Sequence, residues 1–200
     1  MRKYILLIFL VLLLDQVVKI YIKTNFYLGE SIDIFGLRWA RLHFVENNGM
    51  AWGTEFGGKA GKLFLTVFRL FAITGIGYWL YNSYKKHAHA LLLVAIALIF
   101  SGALGNIIDS VFYGVIFDTP RGLKTATLFA DETYGELFYG KVVDMFYFPI
   151  IENGKFWSWI PIVGGQRFTF FNAIFNVADA AISIGVGILV IFNKRVFPKE

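Results

Sequence analysis

Two aspartates in apolar surroundings are the residues of this chain best suited to chemistry. Asp179 stands in the apolar run 170–193, and Asp144 stands in the apolar stretch Gly-Lys-Val-Val-Asp-Met-Phe. When two carboxylates meet in a low-dielectric cleft they cannot both ionise easily, so one proton is shared and one pKa rises. Such a pair can accept a proton from water and later donate one to a leaving amine. The sequence therefore predicts an acid–base pair formed by Asp144 and Asp179.

The elements that must position these aspartates are expected to be membrane helices. Of the 200 residues, 57% are hydrophobic and only 16% are charged, with a mean hydropathy of +0.61, whereas soluble domains carry about 25% charged residues. A bilayer core requires about 20 apolar residues per helix. The stretches that meet this requirement are 4–22, 63–83, 89–109 and 170–193. We therefore expect a single integral membrane domain over residues 1–200, an all-α bundle of four transmembrane helices with a small extracytoplasmic β-rich cradle and cap.

The positions of the basic residues predict how the chain is oriented. Cytoplasmic segments carry an excess of Lys and Arg next to membrane spans. Such residues flank the predicted spans on one side only: Arg2, Lys3, Lys85, Lys86, Lys194, Arg195 and Lys199. Both termini and the turn at 84–88 are therefore expected in the cytoplasm, and segments 23–62 and 110–169 are expected outside.

Composition and pattern disfavour several classes of protein. The chain has no cysteine, so disulfide and thiolate chemistry are excluded. Its net charge of +5 is not clustered with aromatic residues, as a nucleic-acid surface would require. No HExxH, GxSxG or phosphate-binding loop occurs, and His43, His87 and His89 show no metal-ligand spacing. The first apolar run continues past Asp15 to Ile22 without a small-x-small cleavage site, which disfavours a removable signal peptide. We expect no nucleic-acid partner and no metal or organic cofactor.

The two extracytoplasmic segments have the patterns of ordered surface structure. Stretch 37–56 alternates aromatic and basic residues and breaks at Asn47-Asn48-Gly49, which is typical of a strand pair or cradle on the outer membrane surface. Segment 110–169 is rich in turns and aromatic residues, which predicts a cap. Trp157 and Trp159 in this cap could line a substrate groove, although interfacial anchoring is the interpretation we favour. Further residues suit the interfacial aromatic belt: Tyr27, Trp39, Trp52 and Phe56.

The first predicted span contains an ion pair spaced for one helix face. Asp15 and Lys19 are four residues apart and therefore lie on the same side of a helix. Ionisable groups inside a membrane are costly and usually face a bundle interior. Two interpretations stay open: a structural ion pair that holds the bundle together, or a Lys19 that also meets substrate or a lipid headgroup near the outer end.

The third and fourth predicted spans each carry a polar stripe that ends in aspartate. Gly102, Asn106 and Asp109 fall at positions i, i+4 and i+7, and Gly102 with Gly105 allows close approach of another helix. Helix packing explains these glycines and the asparagine but leaves Asp109 unexplained. Asn172, Asn176 and Asp179 repeat the same spacing in the fourth span. If that span begins at 170, Asp179 lies about 13 Å from its outer end.

These residues, taken in chain order, form a set of short motifs. The motifs are Asp15-Gln16-x-x-Lys19, Asn47-x-Gly49-x-Ala51-Trp52, Gly102-Ala-Leu-Gly105-Asn106-x-x-Asp109, Val142-Val143-Asp144 and Phe175-Asn176-x-Ala178-Asp179. In this order and placement the chain resembles the lipoprotein signal peptidases (signal peptidase II), over about residues 11 to 185.

The resemblance implies an aspartic endopeptidase of the bacterial inner membrane that removes signal peptides from diacylglyceryl-modified prolipoproteins, cutting just before the lipidated cysteine. It implies that Asp144 and Asp179 are catalytic. It further implies that Asn47 and Gly49 touch the substrate backbone and that Asn106 and Asn176 flank the catalytic pair. Membrane lipids and a globomycin-type inhibitor are the other expected partners, and we expect a monomer.

Two features depart from the family pattern. Ser110 follows Asp109 where the family usually has arginine. The intervals from Asp109 to Asp144 and from Asp144 to Asp179 are each 35 positions, which indicates insertions within 110–143 and 145–171. Arg69, inside the second predicted span, is a candidate replacement for the missing arginine and would pair with Asp109 or a neighbouring carboxylate. The alternative is that Arg69 extends to the membrane interface.

Two other classes of function remain as alternatives. A small proton-coupled transporter could use Asp109, Asp144 and Asp179 as a proton relay. Against this, the acidic residues cluster towards one membrane side, and no broken helix or inverted repeat is visible. A non-catalytic membrane scaffold would explain the glycines and aromatic residues but not the three aspartates.

Overall fold

The computed structural model describes residues 1–49 and 58–198. Ala51, Trp52 and Phe56, named above in a motif or in the aromatic belt, lie outside these described residues. The helices are α1 (Arg2–Asn25), α2 (Gly58–Lys85), α3 (Ala90–Ile116), α4 (Val177–Ile191) and α5 (Asn193–Val196). The strands are β1 (Ser31–Ile34), β2 (Leu37–Asn47), β3 (Val142–Tyr147), β4 (Ile151–Lys155), β5 (Arg167–Phe170) and β6 (Ile174–Phe175).

Helices α1, α2 and α3 are long and apolar enough to cross a membrane, with 24, 28 and 27 residues. Each extends past the predicted span at one end or both. The largest extension is in α3, which ends at Ile116 rather than at 109. Its added turns are covered by the loop 117–141, whose Gly135 and Phe138 donate backbone hydrogen bonds of 2.9 Å to the carbonyls of Gly114 and Val111.

The fourth helix differs from the prediction of a span over 170–193. Helix α4 has 15 residues and begins at Val177, because Asn176 caps it and the preceding aromatic run forms the short strand β6. The predicted stripe of Asn172, Asn176 and Asp179 on one helix face is therefore wrong. Asn172 lies before β6 and accepts a hydrogen bond of 2.9 Å from the Tyr147 hydroxyl. Asp179 is in the first turn of α4, not about 13 Å down a helix.

The strands form two antiparallel sheets. The larger sheet has the order β1-β2-β3-β6, and β4 pairs with β5 in a separate hairpin. In the larger sheet Val45 of β2 lies opposite Asp144 of β3, and Phe146 lies opposite Phe175 of β6. The small β-rich region expected outside the spans is present, alongside helices that make up most of the structure.

A hydrophobic cluster packs this sheet onto the ends of α1 and α3. Burial of such side chains is the main favourable contribution to packing in a water-exposed cap. The cluster places β3 directly over the helix ends that carry Asp109 and Lys19. Its members are Ile22, Phe26, Phe44, Tyr113, Phe117, Ala126, Val143 and Met145.

Helices α3 and α4 approach each other closely through glycine. A Cβ atom on Gly102 would collide with the Ala178 carbonyl oxygen, and one on Gly185 would lie 2.7 Å from the Ala95 carbonyl oxygen. Backbone atoms cannot move aside as the end of a flexible side chain can. These glycines therefore set the distance between α3 and the first turn of α4, which carries Asp179.

We expect Gly102→Ala to lower the stability of the folded protein by about 1–3 kcal/mol, because the added methyl group must displace the α4 backbone. Gly187→Ala is the matched control, since nothing lies within 4 Å of a Cβ at that position. There the loss of glycine flexibility should leave stability unchanged or raise it by about 0.5–1 kcal/mol. Unfolding of both variants in detergent measures the difference. If both variants change stability equally, the close approach of α3 and α4 at Gly102 is contradicted.

Candidate active site

Asp144 lies in the middle of β3 with only 3% of its surface exposed. Both carboxylate oxygens accept hydrogen bonds from amide side chains. Asn176 Nδ2 donates to Oδ1 over 2.6 Å, and Asn47 Nδ2 donates to Oδ2 over 2.7 Å. Two elements distant in sequence, the end of β2 and the start of α4, therefore hold this carboxylate in one orientation.

Asp179 is held by the start of helix α4. Its backbone N–H donates to the Asn176 side-chain oxygen over 2.9 Å, and its carboxylate accepts the Asn176 backbone N–H over 3.3 Å. This reciprocal capping box satisfies two N–H groups that a helix start otherwise leaves unpaired, and the helix dipole favours a negative charge there. The other carboxylate oxygen accepts from Asn106 Nδ2 over 2.8 Å. These hydrogen bonds fix the position of the Asp179 carboxylate at the start of α4.

Asn176 connects the two aspartates. Its side chain donates to Asp144 and accepts from Asp179 N–H, while its own N–H donates to the Asp179 carboxylate. Because its side chain donates to the Asp144 carboxylate and its backbone N–H donates to the Asp179 carboxylate, one residue links the two carboxylates that the sequence singled out. Asn106 also touches this group, since its side-chain oxygen accepts from Asn176 Nδ2 over 3.1 Å.

The surroundings of Asp144 raise its pKa to about 7. Burial contributes most, because removal from water disfavours the charged form, and the negative charge of Asp179 adds to it. The amide hydrogen bonds from Asn47 and Asn176 act in the opposite direction by stabilising the carboxylate. Near neutral pH, therefore, Asp144 can hold a proton beside a second carboxylate.

Lys19 lies at the centre of a buried charge cluster beneath these aspartates. Its ammonium lies 2.9 Å from Asp15, 2.8 Å from Asp109 and 2.9 Å from the Asn106 side-chain oxygen. All three charged side chains are almost fully buried. Lys19 therefore does not extend to lipid headgroups in this structure, and its placement fits the interpretation as a structural ion pair.

The two carboxylates of this cluster each hold the backbone next to one candidate catalytic residue. Asp15 accepts the backbone N–H of Ala178 over 2.9 Å, and Asp109 accepts that of Val143 over 3.4 Å. Close approach of Asp15 requires the missing side chain of Gly105, where a Cβ would lie 2.6 Å from its carboxylate. The Lys19 cluster therefore positions the chain immediately before Asp179 and immediately before Asp144.

Arg69 contacts the turn at Gly49. The expected pairing with Asp109 is wrong, because the cation that contacts Asp109 is Lys19. The Arg69 guanidinium instead donates a hydrogen bond to the Gly49 carbonyl oxygen. The charge of Asp179 also acts on the guanidinium, so a pairing with a neighbouring carboxylate stays a prediction.

Gly49 and Asn47 form a turn next to Asp144. Gly49 has φ of +83°, which a residue with a side chain rarely adopts, and its N–H donates to the Asn47 side-chain oxygen. A Cβ on Gly49 would lie 2.6 Å from the Arg69 guanidinium. The turn therefore needs glycine both for its backbone conformation and for its contact with Arg69.

Further polar residues of the site were given no role from the sequence. Gln16, which stands in the first motif, donates to Asp109 over 3.0 Å and to Asp15 over 3.1 Å. Lys23 forms a buried ion pair with Glu46, which also lies 3.2 Å from Lys141. Lys23 continues the four-residue spacing of Asp15 and Lys19, which is the signal that could have identified it. No comparable pattern marks Glu46.

The chain is similar in sequence to known proteins over nearly its whole length. A sequence model of the family described as signal peptidase (SPase) II matches residues 7–194. The lipoprotein signal peptidase of Porphyromonas gingivalis is 48% identical over 191 residues, which cover 94% of this chain and 81% of that protein. The lipoprotein signal peptidase of Amoebophilus asiaticus is 34% identical over 190 residues, covering 93% of this chain and 75% of that protein.

The fold is also similar to those of solved membrane enzymes. A solved structure described as a bacterial membrane enzyme superposes with a TM-score of 0.61 at 26% identity, covering 100% of this chain and 93% of the other. A second structure with the same description, at a different resolution, superposes with a TM-score of 0.57 at 27% identity, covering 96% of this chain and 93% of the other. Since the family match spans nearly the whole length and includes every motif described above, the chain belongs to the signal peptidase II family of lipoprotein signal peptidases.

Proposed function

We propose that this protein removes the signal peptide from diacylglyceryl-modified prolipoproteins as an aspartic endopeptidase, cutting just before the lipidated cysteine. Family membership supports the substrate class. The observation that carries the aspartic mechanism is that one residue, Asn176, donates hydrogen bonds to both carboxylates, from its side chain to Asp144 and from its backbone N–H to Asp179. The comparisons do not support the alternative of a proton-coupled transporter.

In this mechanism the two aspartates share one proton. We place this proton on Asp144, because burial and the nearby Asp179 raise the pKa of Asp144 to about 7. Asp179 removes a proton from a water molecule as that water attacks the scissile carbonyl carbon. The protonated Asp144 donates a hydrogen bond to the carbonyl oxygen, where negative charge develops. When the tetrahedral intermediate collapses, the pair supplies the proton that the departing amine requires.

The turn beside Asp144 is the proposed contact for the substrate backbone. Asn47 and Gly49 lie at the end of β2, an extended segment next to the catalytic pair. Arg69 holds the Gly49 carbonyl and thereby fixes the turn, which is a different support from an ion pair with Asp109. An extended substrate passing this turn would present its scissile bond between the two aspartates while its lipid chains stay in the bilayer.

The proposed membrane arrangement uses α4 and α5 as a fourth span. Helix α4 is apolar but short, and α5, which follows after one intervening residue, contains the basic residues Lys194 and Arg195. Those residues favour a cytoplasmic carboxyl end by the positive-inside rule. We propose a monomeric single domain in the bacterial inner membrane, with both termini cytoplasmic, the aspartates near the outer face, and contacts with surrounding lipids. A globomycin-type inhibitor is proposed to bind at the aspartates.

We expect kcat/KM to fall as the pH rises above about 7, by roughly tenfold per pH unit at the limit of one ionisation. The reason is that loss of the Asp144 proton leaves two carboxylates and no donor for the carbonyl oxygen. Asn47→Ala removes a hydrogen bond that stabilises the Asp144 carboxylate, so the alkaline limb of the pH profile should move to higher pH. If the alkaline limb of the pH profile does not move in Asn47→Ala, the assignment of that limb to Asp144 is contradicted.

The proposed substrate class is tested with a matched pair of lipobox peptides, one carrying diacylglycerol on the cysteine and one unmodified. The purified protein in lipid should cut only the modified peptide, and mass spectrometry should place the cut just before the cysteine. Failure to cut it, with a known family member cutting it in the same assay, would contradict the proposal. Proton-flux measurements in vesicles would then test the transporter alternative.

A further inference from the structure

The hairpin β4–β5 ends in an exposed apolar tip, residues 156–166. Ile162 is 96% exposed, Trp159 74% and Trp157 70%, and the two tryptophan rings stack with centroids 5.8 Å apart. No charged residue occurs between Lys155 and Arg167. Exposed apolar side chains grouped in this way usually mark a contact surface rather than a solvated loop.

The backbone of the tip is hydrogen-bonded within itself. Ile160 N–H donates to Trp157 O over 3.0 Å, and Gly164 N–H donates to Ile160 O over 2.9 Å. At the neck, Phe156 N–H donates to Gln166 O over 3.0 Å, and Gly165 N–H donates to Phe156 O over 3.0 Å. A backbone N–H group that is bonded within its own segment loses less when it leaves water for the membrane interface. The tip has such bonds at those positions.

Two cations stand side by side where the tip begins. Lys155 and Arg167 are cross-strand partners in the β4–β5 pairing, and like charges placed opposite each other destabilise a strand pair. The sequence has no Asp or Glu from 153 to 178. Within residues 1–49 and 58–198, neither cation has an ion-pair partner. An apolar tip bordered by paired cations has the chemistry of an interfacial anchor, with the cations at the level of anionic headgroups.

The base of the hairpin is fixed near the membrane boundary. Strand β4 follows β3, which carries Asp144, and β5 is followed by β6 and the start of the apolar helix α4. Arg41 of β2 holds Glu152 of β4 through two hydrogen bonds of 3.1 and 2.9 Å. The hairpin is thus tied to the sheet that lies over the helix ends. A β4 strand of five residues extends about 17 Å, so the tip stays within reach of the lipid headgroups.

We propose that the tip 156–166 enters the outer leaflet of the membrane, with Trp157, Trp159 and Ile162 at the acyl boundary and Lys155 and Arg167 on anionic lipid phosphates. This contact anchors the hairpin that connects β3 to α4, the two elements that carry Asp144 and Asp179. Insertion of the tip into the membrane does not depend on peptidase activity, so this proposal is independent of the proposed function.

The absence of cysteine from the sequence allows a direct test with single-cysteine variants of the whole protein. Ile162→Cys is labelled with an environment-sensitive fluorophore and reconstituted in nanodiscs of phosphatidylcholine and phosphatidylglycerol. Glu132→Cys, at an exposed position of the loop 117–141, is the control. We expect nitroxide groups on the lipid acyl chains to quench the Ile162 label and aqueous iodide to spare it. The Glu132 label should show the reverse.

The cations are tested in the same assay. Each Lys or Arg near an anionic leaflet changes the ratio of inserted to uninserted tips about fivefold. Lys155→Gln with Arg167→Gln should therefore reduce acyl-chain quenching of the Ile162 label, as should nanodiscs of phosphatidylcholine alone. Equal iodide quenching at Ile162 and Glu132 would overturn the proposal. So would protection of Ile162 from iodide without quenching by the acyl-chain nitroxides, because that result indicates contact with protein.

Discussion

Asp144→Asn is expected to reduce kcat for cleavage of a diacylglyceryl-modified lipobox peptide by roughly 10⁴-fold. Asparagine keeps the size of the side chain and can still accept a hydrogen bond from Asn47 or Asn176. It cannot carry the shared proton to the substrate carbonyl or to the leaving amine. The protein should fold, so thermal unfolding measured beside the activity separates lost chemistry from lost structure.

The same variant should also change how stability depends on pH. Because burial raises the pKa of Asp144 from its usual value to about 7, the folded protein retains a proton that the unfolded chain releases. This contribution to stability is present below about pH 4 and is lost as the pH rises to about 7. In Asp144→Asn that part of the decline should disappear. The exposed Asp131→Asn is the control and should leave cleavage unchanged.

Lys19→Met is expected to lower stability by about 3–5 kcal/mol. The substitution leaves Asp15 and Asp109 as two unpaired carboxylates, both almost fully buried. Lys59→Met is the control, because Lys59 is 81% exposed and lies 3.7 Å from Glu136 in an exposed ion pair. Ion pairs of that kind contribute about 0–1 kcal/mol. Unfolding in detergent compares the two variants.

A second substitution tests whether Lys19 stabilises the protein through its ion pair with Asp109. Adding Asp109→Asn to Lys19→Met removes one of the stranded charges, so the double variant should be more stable than Lys19→Met alone. Such non-additivity is expected only of residues in one interacting network. If Asp109→Asn lowers stability further, or if Lys19→Met costs no more than Lys59→Met, the buried cluster does not have the energetic role assigned to it.

Hydropathy predicted the three long helices well, because about 20 apolar residues are needed to cross a bilayer and soluble segments rarely contain them. It failed at the fourth span, where Phe170 to Phe175 are as apolar as helix α4 but form strand residues and a loop. Short apolar runs do not distinguish a strand from a helix. The capping signal Asn176-x-x-Asp179 was present in the sequence and marks the true start.

The sequence identified the residues of the candidate site but not which of them contact each other. Spacing and motif order singled out Asp144, Asp179, Asn176 and Asn106. That Asn176 contacts both aspartates depends on β3 and α4 meeting, which no local pattern encodes. For the same reason the sequence paired Lys19 with Asp15 but could not reveal its second carboxylate, Asp109, on another helix.

The most direct test of the central claim is cleavage of the diacylglyceryl-modified peptide by wild type, Asp144→Asn and Asp179→Asn at equal concentrations of folded protein in lipid. If Asp144 and Asp179 are the acid–base pair, the wild type cleaves just before the lipidated cysteine and both variants fall to the uncatalysed background. Cleavage that survives in either folded variant would contradict the pair. Survival in Asp144→Asn alone would make Asp109 the next candidate partner of Asp179.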